Sequence, residues 1–428
     1  MRSTIVCLLI AGIVFLPGCR KTNAPSPATG TTAFDACALA LAPRAGDAEI
    51  DLKIIRLQQE ARNMGDTRAL EQLGWAFVEK ARVSYDAGYY RLAESCAQCI
   101  ELRSPRNPDA LLLKGYALNS LHEFKEAEAA ARELVAIREV AFDYALLGDA
   151  IMEQGRLGDA IEAYQKMLDL KPGPQSFSRA AHARWLKGDL EGAIEIMREA
   201  VRGATTQDSE SAAWMYARLA LYELQAGDVK LALGACAAAL RFQEDYAPAL
   251  LARSRARLAQ GKADEAILDL KRAVALNPLP EYLWALADSL RIAGRADEAR
   301  SVEDDLNRRG AASDPRSYAL YLATRGENVE VALELVGREL EAREDLFTLD
   351  AFAWSLAAAG RADEARSLMA RALAEGTEDA RLFYHAGVIA VRANQKAEAR
   401  RWLKRASAIK QMLLPSERDG LAKHLAML

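Results

Sequence analysis

The chain has 428 residues, 27% of them charged, and a formal net charge of −4. Charge so nearly balanced offers no basic field for nucleic acid. Alanine, leucine, glutamate and arginine dominate, which suits helices throughout.

Arg2 and the apolar run Ile5–Phe15 have the charged and apolar parts of a secretory signal, and the run is too short to span a bilayer comfortably. It ends in Leu16-Pro17-Gly18-Cys19, which resembles a bacterial lipobox with an unusual proline. The resemblance implies cleavage before Cys19, diacylation of that cysteine, and an exported protein held on a membrane surface by its acyl chains. An ordinary signal peptide with an incidental cysteine is the alternative. Arg20, with no aspartate after the cysteine, implies the periplasmic face of an outer membrane where one exists. Otherwise the anchor belongs on the outer face of the plasma membrane. The expected layout is a signal peptide over 1–18 and a lipidated flexible tether over 19–47, with a short helix near Phe34–Leu41.

Leu52, Ile55 and Leu57, flanked by charges, predict an N-terminal capping helix within 48–66. A solenoid end needs its apolar face covered. From residue 67 to 412 a repeat takes over. Gly294-Arg295-Ala296-Asp297-Glu298-Ala299-Arg300 recurs letter for letter at Gly360–Arg366, with weaker copies elsewhere. The alanine of each copy falls at Ala93, Ala127, Ala160, Ala193, Ala232, Ala266, Ala299, Ala332, Ala365 and Ala399. The steps are 34, 33, 33, 39, 34, 33, 33, 33 and 34 residues, the period of a stacked helix-turn-helix repeat. A glycine usually precedes it by five residues (Gly88, Gly155, Gly188, Gly227, Gly261, Gly294, Gly360), where a helix must stop and turn. Asp159, Asp264, Asp297 and Asp363 then fall in the first turn of the next helix, beside free backbone N–H groups. The alanine itself reads as a close helix–helix contact that a larger side chain would overpack.

These features resemble the tetratricopeptide repeat family. With the alanine counted as repeat position 20, the family's small position 8 holds Gly115, Gly148, Ala181, Ala220, Ala287, Ala353 and Gly387, while Ser254 and Leu320 depart from it. The resemblance implies an all-α, right-handed superhelical solenoid of about ten repeats over 67–412. The 39-residue step inserts Gly203–Asp208, read as a longer loop that costs little in closure entropy. Pro415-Ser416-Glu417 opens a last amphipathic helix through Leu421, Leu425 and Leu428, the C-terminal cap of 413–428.

Chemistry is sparse. Cys96 and Cys99 have dithiol spacing but no following histidine and no second pair for zinc. They read as small buried helix residues, with a redox dithiol the remote alternative. His122, His182, His385 and His424 lie in distant repeats without nucleophile partners. No enzyme, metal or cofactor is expected.

The inner surface remains. In this family the first helix of each repeat lines a concave groove, and its lining positions correspond here to Trp75, Arg82, Tyr85, Tyr116, Asn119, Asp149, His182, Trp185, Trp214, Arg255, Trp284, Asp288, Tyr321, Asp350, Trp354 and Tyr384. Aromatics and arginine carry much interface energy, though rings at this spacing also serve as filling between superhelical turns. The family's carboxylate clamp is not reproduced, because position 5 carries no lysine in any repeat. The expected function is a non-enzymatic, lipid-anchored scaffold or adaptor for envelope proteins, docking a partner segment in the groove. A client-holding chaperone and a glycan binder are the alternatives.

Overall fold

The computed structural model describes residues 35–64 and 66–428. The signal peptide, Cys19 and the first part of the expected tether lie outside the described residues. From Ala36 to Leu428 the chain forms one unit, and every regular element in it is helical. Two helices come first, α1 (Ala36–Leu41) and α2 (Glu49–Met64). Five repeats follow: α3 (Thr67–Ser84) with α4 (Gly88–Arg103), α5 (Pro108–Ser120) with α6 (Phe124–Ile137), α7 (Ala141–Glu153) with α8 (Leu157–Leu170), α9 (Pro174–Leu186) with α10 (Leu190–Arg202), and α11 (Ser209–Gln225) with α12 (Val229–Phe242). Five more pair α13 (Ala247–Ala259) with α14 (Ala263–Leu276), α15 (Pro280–Ile292) with α16 (Ala296–Ser313), α17 (Pro315–Arg325) with α18 (Val329–Ala342), α19 (Leu346–Ala358) with α20 (Ala362–Ala372), and α21 (Ala380–Arg392) with α22 (Lys396–Ala408). Helix α23 (Pro415–Ala426) closes the array. The solenoid reading holds.

The turn within each repeat works as its residues dictate. Gly155, Gly188, Gly227, Gly261, Gly294 and Gly360 take φ between 74° and 91°, a region that costs a side chain free energy. Where the glycine is missing, His122 and Asn394 hold the same position at φ 62° and 57°. The first repeat departs from expectation: Tyr85 takes the left-handed place at φ 55°, and Gly88 simply opens α4. Just beyond the turn, nine of the ten register alanines have 0% exposure and Ala232 has 1%. Position 8 is as tight, since a Cβ on Gly115, Gly148 or Gly387 would strike Leu146, Tyr164 or Leu403.

The superhelix closes on itself. Arg82 on α3 bonds Glu210 on α11 at 2.7 Å, four repeats on. Lys125 donates to the Glu341 carbonyl at 3.1 Å, and Arg343 lies 3.5 Å from Glu153. The turn at Gly155 abuts the Glu344 carbonyl, and the turn at Gly188 abuts that of Gly376. Gln225 donates to the Glu378 carbonyl at 2.5 Å. Inner helices of the late repeats are therefore covered on every side. Helix α15 buries Tyr282 through Leu290 without a break, and α21 buries Leu382 through Ala390. Their outer partners bury little: α16 hides only Ala299, Leu306 and Gly310, and α22 only Ala399, Trp402, Leu403 and Ala406.

Three local results refine the expectations. The Gly203–Asp208 insertion contains one 3-10 turn, and Asp208 caps α11, whose second residue is the Glu210 that reaches Arg82. Part of the expected tether is docked, because α1 packs on α4 and Gln58 donates to the Ala40 and Ala42 carbonyls at 3.1 and 2.7 Å. Cys99, read as half of a Cys96–Cys99 pair or as simply buried, instead forms a disulfide with Cys37. The two thiols of a mid-helix pair are separated by a turn of rigid backbone, whereas α1 is free to bring Cys37 alongside. Cys96 stays free and fully buried, its thiol pushed far up by burial.

That bridge closes a span of 62 residues, worth about 4 kcal/mol in the chain-entropy account. Denatured without reductant, the cysteines of residues 36–428 should take up two alkyl groups by mass spectrometry, at Cys96 and Cys236, and four after reduction. Reduction or Cys37→Ser should also lower the unfolding midpoint.

Candidate functional site

Twelve of the sixteen inner-face candidates divide into two environments. Tyr116, Asn119, Asp149, His182 and Arg255 are half-buried, while Trp185, Trp284, Asp288, Tyr321, Asp350, Trp354 and Tyr384 are buried. Apart from Trp185 on α9, the buried group lies on α15 and later inner helices.

On the early inner face the groups are polar and ordered. Arg179 grips Asp149 with two bonds of 2.8 and 2.6 Å, and the Tyr164 hydroxyl donates to the same carboxylate at 2.9 Å. The carboxylate lifts the Arg179 guanidinium, although burial opposes it. Tyr116 stands edge-on to Trp75, with ring centroids 5.5 Å apart. Arg255 bonds Glu281 at 2.7 Å. Among the described residues four buried side-chain atoms have no partner: Asn119 Oδ1, Gln243 Oε1, Arg255 Nε and, in the late half, His385 Nε2. An unmatched buried polar atom costs about 1–3 kcal/mol, so each calls for a partner that the protein itself does not supply.

The late inner face is an interior. The Trp284 ring lies under the Arg381 guanidinium at 4.9 Å and edge-on to Tyr321. Arg381 in turn holds Glu417 of α23 at 2.6 Å. Trp354 stacks on His385 at 4.1 Å and donates to Thr324 at 2.9 Å, and His385 shares its Nδ1 with Asp350 at 2.8 Å. Asp288 accepts from the Ser416 backbone N–H at 2.9 Å. Gln411 donates to the Leu224 and Gln225 carbonyls at 3.1 and 3.0 Å. The rings fill space between superhelical turns, and the C-terminal segment occupies the inner surface that a partner would need. For Trp284 and Trp354 the groove-contact reading gives way to a packing role.

Between these halves lies a chamber of about 220 Å³. The ends of α7 and α9 supply Glu153, His182 and Trp185, α11 supplies Arg218, and the starts of α17 and α19 supply Arg316, Asp345 and Phe347. Trp185 is a stacked centre, parallel to His182 at 5.6 Å, to Tyr222 at 5.9 Å and to Phe347 at 6.1 Å, with its indole N–H on Gln225 at 2.9 Å. Burial and the nearby Arg218 depress His182 to about 3, so it is neutral. Desolvation raises Glu153. The sequence pointed to His182 and Trp185 but not to Arg218, Arg316 or Phe347, which converge only through the contact of distant repeats.

Among the described residues no group of three or more His, Cys, Asp or Glu side chains could hold a metal ion, and no helix is long and apolar enough to cross a membrane.

The sequence model of the tetratricopeptide repeat matches residues 78–143, 144–177, 251–315 and 351–411. No curated protein matches the chain. Among solved structures, human IFIT1, crystallised as a dimer with PPP-AAAA, is 14% identical, with 82% of this chain and 76% of that one covered at a TM-score of 0.43. Pseudomonas aeruginosa pilF is 17% identical, covering 51% and 97% at 0.40. MamA is 20% identical, covering 38% and 94% at 0.31.

Burial raises the Asp288 carboxyl to about 6, so the folded state holds its proton more tightly than the unfolded chain does. Stability then falls as pH rises from about 4 to about 6, and the loss persists above that window. Asp288→Asn keeps an oxygen for the Ser416 N–H and removes the ionisation. In urea unfolding the variant should exceed wild type by about 1–3 kcal/mol at pH 7 and by about zero at pH 4. A difference independent of pH would show that Asp288 is not the titrating group.

Proposed function

Because the chain belongs to the tetratricopeptide repeat family, a fold that generally serves as a non-catalytic protein-interaction scaffold, we propose that it is an exported, lipid-anchored adaptor for other proteins of the cell envelope. The docking surface in this reading is the half-buried inner face, around Tyr116 and Asn119 on α5, Asp149 on α7 and Arg255 on α13. The tryptophan-rich late face is left out of this reading because its rings are packed against neighbouring repeats. One observation carries the placement: Asn119 Oδ1 and Arg255 Nε are buried and unmatched. An extended peptide offers both a donor N–H and an acceptor C=O, the complement these atoms lack.

The address rests on two supports of different kind. Residues 1–19 carry the pattern of a lipoprotein signal. The Cys37–Cys99 disulfide suits an oxidising compartment, since such bridges are rare where thiols are kept reduced.

Cross-linking in native membranes, followed by purification through the wild-type chain, should yield one dominant partner. With Asn119→Leu and Arg255→Leu together its recovery should drop at least about tenfold, the order expected for losing a hot spot of about 2 kcal/mol. Trp354→Phe, a change inside the packed half, should leave recovery unchanged. Full recovery in the double variant would remove the contact from this face. Separately, cells fed labelled palmitate should label wild type and not Cys19→Ser, which should partition away from membranes; equal labelling would defeat the anchor.

A further inference from the structure

The chamber beside Trp185 has an unusual charge arrangement. Most ionised groups in its wall are matched: Arg316 lies 3.3 Å from Asp345, and Lys187 pairs with Glu375. Behind the wall, Arg343 sits between Glu153, Glu339 and Asp345 at 3.4–3.6 Å. Arg218 is different. Among the described residues it makes no ion pair; its guanidinium lies 5.6 Å over the Trp214 ring, half-buried at the chamber edge. A planar guanidinium with free donors in a partly desolvated place is suited to a carboxylate, which it can bind with two parallel bonds.

The rest of the lining is partly apolar: Trp185, Leu186, Leu346 and Phe347 contribute to it, with Trp185 stacked against the Phe347 ring at 18°. About 220 Å³ falls just below the ~300–1,000 Å³ of typical small-molecule sites, room for one ring and a short acid arm. A dianion such as phosphate fits badly, because Glu153, Asp345 and Glu375 share the wall with a single unpaired cation. We propose that this chamber binds a small monocarboxylate with an aromatic body, its carboxylate on Arg218 and its ring against the half-buried Phe347 and the edge of Trp185. The proposal uses neither Asn119 nor Arg255 and stands or falls independently of the partner-docking reading.

The probe is 3-phenylpropionate, titrated into the full-length mature protein by calorimetry and by tryptophan fluorescence, with 3-phenylpropionamide as its uncharged counterpart. Saturable binding of the acid, at least tenfold tighter than the amide, is expected. Arg218→Gln should reduce acid affinity at least tenfold and leave the amide unaffected, while Arg218→Lys should recover part of the loss. Far-ultraviolet circular dichroism and the melting midpoint check that both variants fold. Equal binding of acid and amide, an unchanged Arg218→Gln variant, or no binding of the acid at millimolar concentration would each overturn the proposal. A hexapeptide ending in a free phenylalanine carboxylate is the last arm: if it binds far more tightly than the free acid, the chamber reads protein C-termini and the small-molecule assignment is wrong.

Discussion

Everything in this architecture depends on how closely two helices approach at one alanine per repeat. At that point the backbones are separated by a methyl group, and the residue has essentially no exposure in any of the ten repeats. A contact so short leaves little freedom in the crossing angle, because packing at interior density cannot absorb an extra methylene without displacement. Repeated at intervals of 33 or 34 residues, a fixed angle sets a fixed curvature. Curvature in turn decides whether successive passes of the solenoid miss one another or touch. Here they touch.

The contact between passes changes what the inner surface is for. An open groove would leave its tryptophans available to a partner, with their area uncovered. Instead Trp284 and Trp354 are engaged by arginines, by neighbouring rings and by polar groups of adjacent repeats. The C-terminal helix adds a buried ion pair between Arg381 and Glu417 and a backbone bond to Asp288. Removing one member of such a pair is costly, since the other is left charged in a poor solvent. The late half is thereby packed as an interior, and the early half keeps a half-buried polar face.

The fold was legible because its signals are local and repeated: a glycine at the turn, an acid after it, an alanine in register. Even the exceptions obey the same rule, as His122 and Asn394 show by adopting the left-handed conformation where glycine is absent. The site was less legible. Family positions identify which side chains face inward, but not what lies opposite them. A clue was present in the composition of one late inner helix. Leu382-Phe383-Tyr384-His385-Ala386-Gly387-Val388-Ile389-Ala390 has no polar stripe beyond one histidine, and a helix apolar all round is a buried one. The clue is confined to that helix, since α15 and α19 carry Asp288 and Asp350 and are buried all the same. Arg218 could not have been singled out, since the chamber it lines is completed by Arg316, Asp345 and Phe347 of distant repeats. Nor could the Cys37–Cys99 bridge, because α1 is too short to announce where it docks.

The same bridge determines how the molecule would bear tension. With an acyl chain at Cys19, the segment to Cys37 can extend at most about 60 Å, a short leash. A pull along it does not enter at the free end of the solenoid. Cys37 is bonded to Cys99 on α4, so force passes straight into the second helix of the first repeat and bypasses α2 and α3. Those two helices lie inside a covalent loop that carries no load. A membrane-tethered array built this way resists being unzipped from its proximal end, where solenoids are otherwise least supported.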